Sequence, residues 1–247
     1  MKFPCLLPFD EVELAPPRPG LYAWYGRIYS PPGDYKRELD DSGKDLGDQR
    51  FRELLAKHML RFQLAPFELR GRGHFGVEWR GTMQDQNRDN LQDLLLARVP
   101  PETKLDEEQK GFAKNLSSVT KDERRRALLA KLLTEVTPLL TAPIYVGVTK
   151  NLRIRLCDHT KLYRDLQDGI GSDKSKLEAL QRKVEREGLE FAHRAIASDF
   201  SPDHLCVAIL DVSDLLGSDL SDEELRQLSG VAEWLVNRWH RPFVGRR

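Results

Sequence analysis

The spacing of apolar residues changes character several times along the chain, and each change predicts an element. Residues 1–19 are broken by prolines, with Pro16, Pro17 and Pro19 barring a helix, so an extended segment is expected. Leu21-Tyr22-Ala23-Trp24-Tyr25 is aromatic and β-prone and predicts a strand. Residues 30–49 open on Ser30-Pro31-Pro32-Gly33 and turn charged, which predicts a loop. From Arg50 the period becomes helical, with Phe51, Leu54, Leu55, His58, Met59 and Phe62 three and four residues apart. Four glycines among Phe75, Val77 and Trp79 predict a hairpin or loop over 66–82. Helical spacing returns at 85–98, 106–116 and 121–140.

The last third reads more sharply. Ile144-Tyr145-Val146-Gly147-Val148 predicts a strand, followed by a helix over 151–165 and another over 173–196. Leu205-Cys206-Val207-Ala208-Ile209-Leu210-Asp211-Val212 is a nearly continuous apolar run and predicts a strand buried on both faces. Ser221-Asp222-Glu223-Glu224 is a capping box that opens a final helix, with Leu225, Leu228, Val231, Ala232, Leu235 and Trp239 as its expected buried stripe and Pro242 as its stop.

Composition narrows the class. The 247 residues suffice for one sizeable core or two small ones; 40% are hydrophobic and 32% charged. No apolar run approaches the ~18 residues of a membrane span, so no membrane partner is expected. Three widely spaced cysteines, Cys5, Cys157 and Cys206, lack zinc-ligand spacing and suit free thiols in a cytoplasmic setting. The formal net charge is zero, which argues against a protein that grips nucleic acid over its whole surface. Basic residues are nevertheless clustered. Lys150, Arg153, Arg155, Lys161 and Arg164 are opposed only by Asp158, and Arg238, Arg241, Arg246 and Arg247 close the chain.

Gly20-Leu21-Tyr22 and Tyr145-Val146-Gly147 each sit on a strand-like run. Arg155 follows Tyr145 by ten residues, His159 follows Arg155 by four, and Glu233 precedes Pro242 by nine. In this order the set resembles the GIY-YIG endonuclease family. The resemblance covers residues 18–26 and 142–245. It implies an α/β fold, a small three-stranded mixed sheet flanked by helices, with residues 1–26 and 142–247 as nuclease core. Residues 27–141 then form a large, mostly helical insertion concerned with substrate recognition. The motifs stand much closer together in the family, and Gly245 occupies the place of a family asparagine.

The resemblance implies a Mg²⁺- or Mn²⁺-dependent hydrolase that cuts DNA, of restriction or defence type, with no small-molecule cofactor and with a homodimer where the target is palindromic. Glu233 would hold the metal, since Mg²⁺ takes oxygen ligands and keeps several waters. Arg155 would fork onto phosphate oxygens, helped by the amides at the start of its helix. Tyr22 would orient or deprotonate the attacking water, and Tyr145 and His159 would position water and phosphate. Lys150, Arg153, Lys161, Arg72, Asn87, Arg88 and Asn90 are candidate DNA contacts, the asparagines because that amide reads base edges. Arg124-Arg125-Arg126, after Lys121-Asp122-Glu123, reads as a solvated, ion-paired helix face. Two rival readings stand beside the nuclease. One is a non-catalytic nucleic-acid-binding module on the same fold, and the other a structure-specific or single-strand nuclease in repair.

Overall fold

The computed structural model describes residues 5–61, 67–72, 78–83, 86–187, 190–216 and 221–239. In chain order the elements are β1 (Cys5–Pro8), a 3-10 turn (Phe9–Leu14), β2 (Gly20–Gly26), α1 (Pro32–Tyr35), α2 (Leu46–Arg61), β3 (Phe67–Arg72), β4 (Glu78–Met83), α3 (Gln86–Leu96), α4 (Glu107–Thr120), α5 (Glu123–Leu140), β5 (Tyr145–Thr149), α6 (Leu152–Ile170), α7 (Lys174–Glu187), α8 (Phe191–Ala197), a 3-10 turn (Pro202–His204), β6 (Leu205–Asp211), α9 (Val212–Leu216) and α10 (Asp222–Trp239). The chain divides into two compact units, one of Met1–Tyr29 with Leu133–Arg247, the other of Ser30–Leu132.

The first unit is built on a four-stranded sheet of order β1-β6-β2-β5 in which every pairing is antiparallel. The expected three-stranded mixed sheet is therefore corrected on both counts. The added strand is Cys-Leu-Leu-Pro of β1 at the sheet edge, where the missing amide of Pro8 costs no internal ladder bond. β2 is central. Its burial alternates residue by residue, with Gly20, Tyr22, Trp24 and Gly26 on the buried side. Trp24 is stacked on Phe191 of α8 at 4.6 Å between ring centroids, and Phe9 leans on Trp24 and on Tyr163 of α6. These aromatics fill the space between sheet and helices.

The proline-rich stretch has a role that its spacing does not announce. Prolines lack a donor but keep their carbonyls, and here three carbonyls of this stretch, two of them from prolines, serve neighbours. The Leu152 amide donates to Arg18, the Arg153 amide to Pro16, and the Val212 amide to Pro19. The predicted helix over 173–196 is two helices, α7 and α8; glycine is a poor helix former and Gly188 lies outside the described residues. The capping box at Ser221 is present, with Ser221 and Glu224 bonding each other's amides. The stripe expected beyond it is kept only in part, with Ala232 and Leu235 half-buried. Leu225 and Ser229 are buried, while Leu228, Val231 and Trp234 are exposed, so α10 is turned away from the orientation that its apolar residues suggested.

In the second unit α2, α3 and α4 share an apolar cluster of Ala56, Leu95 and Leu116, ringed by Leu55, Met59 and Leu96. Residues 30–49 are not a plain loop. α1, a bridge between Leu39 and Asp45, and amides of Ser42 and Lys44 donating to Asp40 organise them. Gly43 takes the left-handed φ of +80° that closes this turn. The Arg124–Arg126 run is not one solvated face either. Arg126 is fully buried, donating to Tyr35, to Asp45 at 2.9 Å and to the Thr120 carbonyl. Arg52 reaches the Thr120 hydroxyl at 2.7 Å, so two buried arginines hold the end of α4. β3 and β4 pair as an antiparallel hairpin with Arg70 opposite Arg80.

Candidate functional site

Three elements of the first unit supply the site, and local sequence explains each placement. β2 pairs with β5 so that Tyr22 is directly opposite Gly147 and Trp24 opposite Tyr145. A side chain at Gly147 would lie 2.5 Å from the Tyr22 hydroxyl oxygen and 3.0 Å from the Tyr145 ring. The glycine is thus the gap into which the phenol of Tyr22 fits. Gly20 is constrained in the same way, because a Cβ there would run into the Leu210 carbonyl and stand 2.6 Å from Leu152 of α6. The glycines of both tripeptides are steric requirements of one packed unit.

α6 lays its buried stripe, Leu152, Leu156, His159, Thr160 and Tyr163, against the sheet. This brings His159 under Tyr22, with 2.8 Å between the Tyr22 hydroxyl and His159 Nε2. Tyr22 and Tyr145 stack at 6.1 Å between centroids, and Tyr145 meets His159 edge-on at 5.7 Å. Phe191 closes the back of the group, packing on His159 at 5.3 Å and on Tyr145 at 5.8 Å. Arg155, half-buried one turn before His159, lies within electrostatic reach of both tyrosines.

Burial governs the protonation states. Tyr22 is 2% exposed, and its phenol is pushed up, first by desolvation and then by the neighbouring Tyr145, against a smaller lowering by Arg155. His159 is 1% exposed and is driven down to about 3 by burial and then by the Arg155 charge. At neutral pH the pair is a protonated phenol on a neutral imidazole. Arg155 feels an opposing desolvation, but the two tyrosines and Glu190 together hold it firmly cationic.

The chain matches no family model, no curated protein and no solved structure. What the site can do therefore rests on its own residues.

Tyr22, Tyr145, Arg155 and His159 are brought together. Glu233 belongs to α10, one turn beyond buried Ser229, and α10 packs on β5 and β2; the Glu233 side chain lies outside the described residues. No cluster of three or more acidic, histidine or cysteine side chains in metal-binding proximity occurs among the described residues. Lys150 and Lys161 are exposed on the same unit. Arg153 is also exposed, but its Nε is used on the Ala15 carbonyl at 2.9 Å. Arg164 is withdrawn from the basic cluster by its 2.8 Å pair with Asp10 and its position over the Phe9 ring.

The start of α6 is not the open anion site expected. Arg18 and Pro16 carbonyls take its first two amides, and Asn151 Oδ1 takes that of Ile154. Arg72 of β3 and Asn87, Arg88 and Asn90 of α3 belong to the second unit, and their side chains lie outside the described residues. Gly245 and the arginines from 241 onward also fall outside them. Sequence reasoning passed over Glu190 and read Phe191 only as part of the apolar stripe of the 173–196 helix. They follow a helix break, and nothing in their spacing marks them as neighbours of Arg155 and His159.

Proposed function

We propose that this chain is a metal-dependent phosphodiesterase of the GIY-YIG kind, acting on DNA as an endonuclease of restriction or defence type. The observation that carries the reading is the bond between Tyr22 and His159. It joins residues 137 apart in sequence, in a packed cluster that also holds Tyr145 and Arg155. A core needs neither a buried phenol on a buried imidazole nor a half-buried arginine beside them.

Each residue has a definable task. Arg155 stays charged and offers a planar fork to two phosphate oxygens. His159, neutral above pH ~3, fixes the Tyr22 oxygen through Nε2 and leaves it acceptor capacity for an attacking water. Tyr145 stacks on Tyr22 and restricts its ring. As a phenol Tyr22 orients water; as a base it needs added positive charge, because Arg155 alone leaves its pKa raised. A magnesium or manganese ion on Glu233 would supply that charge and neutralise the phosphate. A carboxylate suits such a hard ion, which needs only one when phosphate oxygens and water complete its shell. Lys150 and Lys161 offer charge to flanking phosphates, and one site per chain calls for a homodimer where both strands are cut.

A second reading has its own support. Tyr22 is almost inaccessible and its phenol is hard to ionise, as in a purely structural aromatic cluster. A non-catalytic nucleic-acid-binding module would keep that cluster without turnover. Supercoiled plasmid incubated with Mg²⁺ and wild type, Glu233→Ala or Tyr22→Phe separates the two. The nuclease reading expects nicked or linear product from wild type alone. Retained DNA binding without any cutting favours the module, and equal cutting by all three proteins removes both residues from the chemistry.

A further inference from the structure

The basic run that opens α5 divides into three fates. Arg126 is buried and tied to Asp45 and Tyr35. Arg125 reaches the Ser118 hydroxyl at 2.9 Å. Lys121 and Arg124 are exposed and form no ion pair with any described residue, and Arg37, just beyond α1, is in the same condition. These three cations line one open depression of 430 Å³, together with Asp122, Glu123 and Ala127.

The depression is held in shape. Glu123 accepts from the Arg37 amide at 2.9 Å, and Arg126 donates to the Tyr35 carbonyl at 2.7 Å, so the segment after α1 is tied to α5 at two points. Asp122 accepts from the Arg125 amide at 2.8 Å. Both lining carboxylates thus already serve a backbone donor, while the three cationic heads have no acidic partner among the described residues. Three cations against two carboxylates leave a single positive charge. That matches a phosphodiester, which carries one negative charge, and disfavours a phosphate dianion, which Asp122 and Glu123 would repel.

We infer that this depression on the second unit is a backbone-anchoring site that takes one phosphodiester group of a nucleic-acid strand. The choice of a nucleic acid rests on the phosphodiesterase reading, while the preference for a singly charged anion rests on the depression itself. Arg37 and Arg124 fork onto the diester oxygens and Lys121 adds a point charge. A contact of this kind fixes register without reading bases.

The test is equilibrium binding of a labelled duplex to the full chain in EDTA, followed by fluorescence anisotropy between 50 and 200 mM KCl. The variant Arg37→Ala/Lys121→Ala/Arg124→Ala is expected to bind about tenfold more weakly in mid-range salt, with the slope of log K against log salt smaller by ~0.9. Glu123→Gln keeps an acceptor for the Arg37 amide and removes one charge, so binding should tighten about twofold. Arg124→Lys, which keeps the charge, should retain most of the affinity, and superimposable thermal melts guard against misfolding. Inorganic phosphate at constant ionic strength should not compete at millimolar concentration.

Equal slopes for wild type and the triple variant, or no change with Glu123→Gln, would overturn the site. Displacement by inorganic phosphate would overturn its assignment to a diester. Absence of duplex binding by wild type at 50 mM KCl would overturn it as well. The nuclease reading is judged separately, by plasmid cutting in Glu233→Ala, a variant that leaves the depression intact.

Discussion

Replacing His159 with glutamine tests the electrostatic account of the pocket without any substrate. His159 is buried and held neutral, its pKa falling from 6.5 to about 3 because burial and then Arg155 oppose its charge. In the unfolded chain the same imidazole takes a proton below pH 6.5, so between pH 6.5 and 3 the unfolded state binds more protons than the folded one. Stability is therefore fully present above pH 6.5 and is lost as the pH falls toward 3. At pH 5 the linkage relation gives a loss of about 2 kcal/mol from this residue alone, approaching ~5 kcal/mol at the lower end. His159→Gln removes that contribution whatever its cost at neutral pH. Urea unfolding followed by circular dichroism should show wild type losing about 2 kcal/mol more than the variant between pH 7.5 and 5. The remaining carboxylates and the depressed His193 are common to both proteins and cancel in the difference. Parallel pH profiles would mean that His159 is solvated or charged in the folded protein, and the pocket as described would be wrong.

Three further substitutions probe the structure. Gly147→Ala puts a methyl group 2.5 Å from the Tyr22 oxygen; it should cost ~1–3 kcal/mol in urea unfolding and abolish plasmid cutting, because the bond to His159 must break to admit it. Arg126→Met strips Asp45 of its buried partner and leaves the Tyr35 and Thr120 carbonyls without that donor; a loss of ~3–5 kcal/mol is expected, read in the same way. Trp24→Phe forfeits no hydrogen bond to a described residue, since the buried indole N–H has no partner among them, so its cost should reflect the lost ring volume and stay below the ~3–5 kcal/mol of a full Trp→Ala truncation.

Much of the first unit was legible in the chain because its signals are local. The aromatic run around Tyr22, the apolar run at 205–212 and the Ser221–Glu224 box each became the element they announced. The meeting of Tyr22, Tyr145, Arg155 and His159 was expected from the resemblance to the GIY-YIG family alone, since neither strand marks the other as its partner. What escaped the reading depends on partners distant in sequence. β1 is too short to register as a strand until β6 pairs with it. The occupied amides of α6 depend on the carbonyls of Pro16 and Arg18, more than 130 residues upstream. The apolar residues of α10 suggested one buried face, yet packing on β5 and β2 selected another that includes Ser229. Arg126 looks like any surface arginine until Asp45 and Tyr35 enclose it.

The proposed chemistry requires the Tyr22 oxygen, held by His159, to take part in phosphodiester hydrolysis. Single-turnover cleavage of a duplex with saturating Mg²⁺ by wild type and Tyr22→Phe, at matched DNA occupancy, addresses it directly. The expected result is unchanged DNA affinity with cleavage slowed by at least ~10²-fold, the lower range for a lost acid–base group. Cleavage by Tyr22→Phe at the wild-type rate would leave the tyrosine–histidine pair as part of the core and take the proposed chemistry with it.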